Sequence, residues 1–503
     1  MSTQPLHPQQ PLPPDASLEH LKYQAKDLLK AVKSHDPAAL IRVRASLPRL
    51  AKSSDADLRQ AKFTLADAQF ILAREYGFES WPKLKTHVEG DPDKLFAEAI
   101  NGNDAAKVKA LLRKHPALKT KLNAPLFGFD SPAIVAKAGN RELVDVLLAA
   151  GADINVKSSW WAGGFGVLHG QSGDHARYLI ERGARVDAHA AAHLSLVEKL
   201  TELLDADPAL VNARGPDGMS PLHFAATPEI AKLLLDRGAD VNFRDLDHES
   251  TPAQYAIPDR VDVCRYLLAR GAEADIFMAC VLGDVAQAQR LLAADPAVLQ
   301  QRIGKRKFVT IKSQGEHIYA YHLGYTQTPL LLGLKHGSSD FAKLLLAHAS
   351  PRELFLHACI SVNEAEVSNI LARDPGIAAS LTPEEASAIA DAAWNNQLDA
   401  VRLMLKAGFP VDARGIHNST PLDRACIRGY IELVNLLLDH GASIDVVNAF
   451  GGTPLRACIW GSVKFRDTKG NYPAVVERLL KAGAKVPEMG GSAEVETVLK
   501  KYR

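Results

Sequence analysis

The sequence predicts an all-α fold of stacked helix-turn-helix units, and three observations carry that prediction. A hydroxyl-Pro start recurs along the chain, as Ser220-Pro221-Leu222-His223, Ser250-Thr251-Pro252, Thr328-Pro329-Leu330, Ser419-Thr420-Pro421-Leu422 and Gly452-Thr453-Pro454-Leu455. A leucine pair and a glycine close such units, as Gly151-Ala152-Asp153-Ile154-Asn155, Gly183-Ala184-Arg185-Val186-Asp187, Gly238-Ala239-Asp240-Val241-Asn242, Gly271-Ala272, Gly441-Ala442 and Gly483-Ala484, at a spacing near 33 residues. The 503 residues are 47% hydrophobic but 6% aromatic, which suits close-packed helices better than a β-sandwich.

The chemistry of each mark explains its place. A Thr or Ser hydroxyl caps the free N–H groups of a helix start, and Pro at the first helical position loses no needed donor. The closing Gly supplies the left-handed residue that ends the second helix. One helix pair cannot bury its apolar face alone, so neighbours must stack. Thr-Pro-Leu-His with Gly-Ala-Asp-Val-Asn resembles the ankyrin-repeat family over about four fifths of the chain. The resemblance implies an ankyrin-repeat solenoid whose finger loops project beside a concave face, and whose work is protein recognition.

Taken in order, residues 1–16 hold five prolines and three glutamines without an apolar run, and are expected to be a disordered tail. Residues 17–90 predict a small helical bundle that caps the array. In it Leu18, Leu21, Ala25, Leu28, Leu29 and Val32 recur at helical spacing, a second helix runs from about Pro37 to Ser46, a third follows Thr64 to Gly77, and a last follows Ser80. Residues 91–490 predict about twelve repeats, four of them closed by a proline turn at Pro116, Pro208, Pro296 or Pro375. Insertions are expected near 157–166, 302–324 and 462–473, and 491–503 form a C-terminal capping helix with Val495 and Leu499. The segment from Leu65 to Phe78 with Ser80-Trp81-Pro82 is similar to a leader of bacterial ankyrin-repeat proteins, which implies a bacterial source.

Charge and motif content narrow the function. Lys plus Arg number 59 against 58 for Asp plus Glu, a formal charge of +1, which argues against nucleic-acid or membrane partners recruited by bulk charge. No secretory signal pattern and no long apolar run is visible, and five scattered cysteines suit a reducing compartment. The expectation is a cytoplasmic monomer. Cys280, Cys359, Cys426 and Cys458 each follow an alanine at one repeat position, where a small apolar side chain packs. His189 and His193 share a helix face, but without the Glu of the zinc-hydrolase motif. Gly163-Gly164-Phe165-Gly166 lacks the Gly-Lys-Ser/Thr ending of a phosphate loop. No catalytic constellation is present; no enzyme activity, cofactor or metal is expected.

The partner, another protein, is expected at the departures from repeat length. Trp160 and Trp161, with Phe165, stand on the finger 157–166, where adjacent tryptophans make favoured interface anchors. In 302–324, Phe308 to Lys312 and His317 to Tyr321 alternate around Ser313-Gln314-Gly315-Glu316, which predicts a hairpin. Lys305, Arg306 and Lys307 add charge there, and His317, Tyr319 and Tyr321 add contact area. The hairpin is expected to be an appendage, removable without loss of helix. The segment Ser462 to Pro473 predicts a solvated loop of mixed charge. The competing reading is an enzyme or effector with a site in the groove near 302–324, around His317, His322 and the glycine-rich finger.

Overall fold

The computed structural model describes residues 12–13, 16–257, 259–304, 308–310, 315–324 and 327–503. The chain divides into two compact units, Met1–Val186 and Asp187–Arg503. The expected N-terminal tail lies almost wholly outside the described residues.

The first unit opens with five helices, Leu18–Lys33, Pro37–Ser46, Asp55–Gln60, Leu65–Glu75 and Trp81–Glu89. They share one core, in which Leu21, Leu28, Val43, Leu58, Ile71 and Leu84 are buried together. Its polar tie is bidentate: Arg42 donates from Nε and Nη2 to the buried carboxylate of Glu75, both at 2.8 Å. The helix Asp55–Gln60 is an addition to the sequence reading. Its signal was the capping box of Ser54 and Asp57, each side chain serving the other's backbone N–H. Ser17 precedes the first helix as expected, but its side chain makes no capping bond. Helix pairs then follow at Pro92–Asn101 with Ala105–Lys114 and Ala133–Ala136 with Arg141–Ala149, and Gly173–Glu181 closes the unit.

The second unit is a run of helix pairs whose first members begin at Ala188, Pro221, Pro252, Ile276, Pro329, Pro351, Ala388, Pro421 and Pro454. Thr328, Thr420 and Thr453 accept the N–H of Leu331, Asp423 and Arg456, so the hydroxyl-Pro starts cap helices as their chemistry requires. Closing glycines such as Gly238 and Gly441 have φ of 91° and 82°, a region that L side chains rarely adopt. Stacking buries a continuous seam: Leu422, Leu433, Leu437, Leu455, Val475 and Leu479 belong to one core of the C-terminal repeats. Ala493–Leu499 closes it with Val495 and Leu499 buried.

All five cysteines are free and buried, and burial pushes the Cys264 and Cys359 thiols up to about 12. They are packing atoms at neutral pH. The backbone uses the repeat histidines in the same spirit. His223 Nδ1 accepts the Ser220 N–H at 3.1 Å while its Nε2 bonds the Ser250 carbonyl at 3.1 Å, joining one repeat to the next. His189 Nε2 meets the carbonyls of Ala213 and Met219 at 3.0 and 3.1 Å. Among the described residues there is no strand, and no helix is long and apolar enough to cross a membrane.

Candidate functional site

The finger 157–166 is held by its own backbone. Ser158 N–H donates to the Phe165 carbonyl at 2.8 Å, Phe165 N–H donates to Ser158 Oγ at 2.9 Å, and Gly163 N–H donates to the Trp160 carbonyl at 3.1 Å. Gly164 allows the close approach, since a Cβ there would collide with the Ser158 carbonyl oxygen. Ser159 N–H donates at 2.9 Å to the carbonyl of Asp130, in the preceding finger. That finger turns at Phe129 and Asp130, both left-handed with φ of 57° and 48°, which costs non-glycine residues about 1 kcal/mol or more each.

The turn places Phe129 against both later aromatics: its ring lies 5.2 Å from Trp160, edge to face, and 5.6 Å from Phe165. Trp161 lies 6.2 Å from Trp160. Trp161 is 50% exposed and Phe129 59%, and Trp160 lies against both, so the two fingers offer one aromatic patch; Leu126, three residues before Phe129, is 53% exposed. Trp160 is half-buried, and its buried Nε1 has no hydrogen-bond partner among the described residues. Phe129 and Leu126 were missed by the sequence reading; the signal was their place one repeat before the tryptophans.

The insertion 302–324 does not form the expected hairpin. Its base is clipped where Ile303 N–H donates to the Gln327 carbonyl at 2.9 Å. Lys305, Arg306, Lys307 and the segment 311–314 lie outside the described residues. The second expected strand is the helix Ile318–His322, with His317 as its cap, Nδ1 accepting the Tyr319 N–H at 3.3 Å. Five alternating residues fit either element, and the neighbours decide. Ser250 Oγ accepts the Ile318 N–H at 3.2 Å and Asp275 accepts the Tyr319 hydroxyl at 2.6 Å, so single acceptors stand where a ladder would need a partner strand. His317 and Tyr319 are buried, and Tyr321 is 57% exposed.

The insertion is therefore no appendage: it is latched to the finger 245–250. Glu249 accepts the Thr310 N–H at 2.9 Å and its hydroxyl at 2.7 Å, and Asp247 Oδ1 accepts the Gly315 N–H at 3.1 Å. His248 Nδ1 donates to the Glu316 carbonyl at 2.7 Å. That bond leaves Nε2 facing Asp247 and Asp217 carboxylate oxygens at 3.6 and 3.9 Å. Among the described residues, these three form the group whose ligand atoms lie close enough together to hold a metal ion; the sequence reading did not single them out. Burial lowers His317 to about 4 and holds His322 below the usual histidine range. Burial, reinforced by Asp275, pushes the Tyr319 phenol well up.

The expected third insertion is shorter than 462–473. Ser462 is buried in the helix Pro454–Lys464, and the next helix begins at Tyr472. Between them Asp467 is tied down by Arg428 at 2.7 Å and by the Tyr430 hydroxyl at 2.9 Å. The turn is anchored at Asp467, and Lys464, Arg466 and Lys469 around it are exposed, as a solvated loop of mixed charge requires.

Paired helices, hydroxyl-Pro starts, glycine closings and finger-to-finger bonds define a helix-turn-helix repeat protein. Residues 188–278, 355–448 and 389–489 match the family model for ankyrin repeats, in three copies. The chain carries ankyrin repeats, a protein-interaction repeat. It is 25% identical over 310 residues to the E3 ubiquitin-protein ligase KEG of Arabidopsis thaliana, covering 55% of this chain and 18% of that protein. Ankyrin repeat and SOCS box protein 16 of Mus musculus is 46% identical over 56 residues, 11% of this chain and 12% of that one. Protein phosphatase 1 regulatory subunit 27 of Homo sapiens is 32% identical over 76 residues, 15% and 49% respectively. The chain thus spans less than a fifth of the length of the plant ligase and of the mouse protein.

Proposed function

We propose that the chain is a non-catalytic scaffold that captures another protein through its finger loops and the concave face of its repeats. Its principal anchor in this reading is the aromatic patch of Phe129, Trp160 and Trp161, with the exposed Leu126 three residues before Phe129. The observation that carries the reading is that Leu126, Phe129 and Trp161 on adjacent fingers stay half exposed or more, on backbone that two left-handed residues hold in place. Interfaces draw most of their energy from a few such anchors. Of the other expected contacts, Tyr321 is exposed and available, whereas His317 and Tyr319 act by holding the insertion in place. The same reading holds the chain to be a cytoplasmic monomer with the segment 17–90 as its N-terminal cap; the bacterial source rests on that segment's resemblance alone.

The competing reading is an enzyme or effector with a site near 302–324, around His317, His322 and the glycine-rich finger; burial lowers His317 to about 4, which makes its imidazole a weaker base. The test is capture from native lysate by the full chain and by Trp161→Ala. Loss of about tenfold in affinity at an unchanged unfolding midpoint supports the anchor. Undiminished capture contradicts it.

A further inference from the structure

A cavity of about 280 Å³ opens among the helices Pro329–His336, Pro351–Ile360 and Ala388–Trp394, close to the lower end, about 300 Å³, of small-molecule sites. Leu330, Leu356 and Ile360 give it an apolar wall. Against that wall stand three buried polar atoms without a hydrogen-bond partner among the described residues: Arg302 Nε, Glu353 Oε1 and His357 Nδ1. Each buried group left unsatisfied costs about 1–3 kcal/mol. Three on one cavity call for an occupant.

Each of the three is fixed by its other contacts. Arg302 is 7% exposed, and its Nη2 donates to Asp391 Oδ2 at 3.4 Å. Burial lowers its pKa, but a guanidinium stays charged in proteins. Glu353 spends Oε2 on the Ser350 N–H at 2.7 Å as the return arm of a capping box, which keeps Oε1 in place. His357 lies one helical turn beyond Glu353, on the same face, and burial holds its ring below the usual histidine range, neutral at pH 7.

The charges specify the occupant. Arg302 and Lys335 are balanced by Glu353 and Asp391 around the cavity, so a molecule of net charge suits the site poorly. It must bring an acceptor for the guanidinium N–H, a donor for the carboxylate and an apolar body for the leucine wall. Water satisfies the first two and not the third. We propose that this cavity binds a small zwitterion of the α-amino-acid class with an apolar side chain. The carboxylate pairs with Arg302, the ammonium with Glu353, and His357 Nδ1 completes the polar end. Charge-assisted bonds of this kind are about twice as strong as neutral ones.

The test is calorimetric titration of the full chain with L-leucine, leucinamide and 4-methylpentanoate. L-leucine is expected to bind, and the other two, lacking the carboxylate or the ammonium, to bind at least about tenfold more weakly. Glu353→Gln keeps the helix cap but removes the charge, and should weaken L-leucine by about tenfold. Arg302→Gln should do the same. If that variant fails to fold, Ile360→Trp, at the partly exposed edge of the wall, is the substitute and should abolish binding. A silent titration at millimolar L-leucine, equal binding of the three compounds, or full binding by Glu353→Gln overturns the proposal.

Discussion

In the finger 158–165 Trp161 stands half exposed beside Trp160, which packs on Phe129, while in the insertion 302–324 Tyr319 is buried with its hydroxyl on Asp275. Both segments depart from the repeat length and both are aromatic. What separates them is the set of acceptors within reach. The finger closes on itself through the Ser158 and Phe165 backbones, and its aromatic rings pack on Phe129 and His169 while Trp161 stays half exposed. The insertion meets Glu249, Asp247, Ser250 and Asp275, whose oxygens take its N–H and O–H groups and fold it down. An aromatic loop stays exposed when its own backbone satisfies it, and becomes core when a neighbour's side chains do.

The largest test of this contrast is Tyr319→Ala, which empties a fully buried site and removes one of the three donors to the Asp275 carboxylate, leaving Gln254 and the Met278 N–H. A loss of about 3–5 kcal/mol is expected in urea unfolding of the full chain. A loss below about 1 kcal/mol would return the insertion to the status of an appendage.

The next effect is a pH dependence. His317 is lowered in the fold to about 4, against about 6.5 unfolded, so between those values the unfolded chain binds more protons. Its contribution is fully present above pH 6.5 and is lost as pH falls towards 4, on the order of 3 kcal/mol. Comparing unfolding midpoints of the wild type and His317→Gln at pH 7 and pH 4 isolates it from His223, which burial lowers to about 3. The stability difference between the two proteins should shrink in acid. A difference independent of pH contradicts the burial argument. The smallest effect is Trp161→Ala on stability, within about 0.5 kcal/mol, since the side chain is half in water already.

The repeat was legible because its signals are local. Thr420-Pro421 and Thr453-Pro454 cap the helices they begin, and Gly441 and Gly483 adopt the positive φ that their position after a leucine pair requires. What failed needed a neighbour to be known. His317 to Tyr321 reads as strand or helix until Ser250 and Asp275 are placed beside it. Phe129 gains meaning only when stacking brings it to Trp160. Arg302, Glu353 and His357 are distant in sequence or, for the last two, look like an ordinary helix face, and only the fold sets them around one cavity. Leu58 is the opposite case: the Ser54-x-x-Asp57 box was readable.

The central claim is that the finger patch is the principal anchor for the partner, ahead of the exposed Tyr321 of the insertion. It is tested most directly by photo-crosslinking in native lysate, with benzoylphenylalanine placed at Trp161 or, as an equally exposed control, at Tyr321. The account predicts one discrete crosslinked protein from position 161, suppressed by Phe129→Ala, and weaker or no product from 321. Crosslinking confined to 321, or identical diffuse products from both positions, would contradict it.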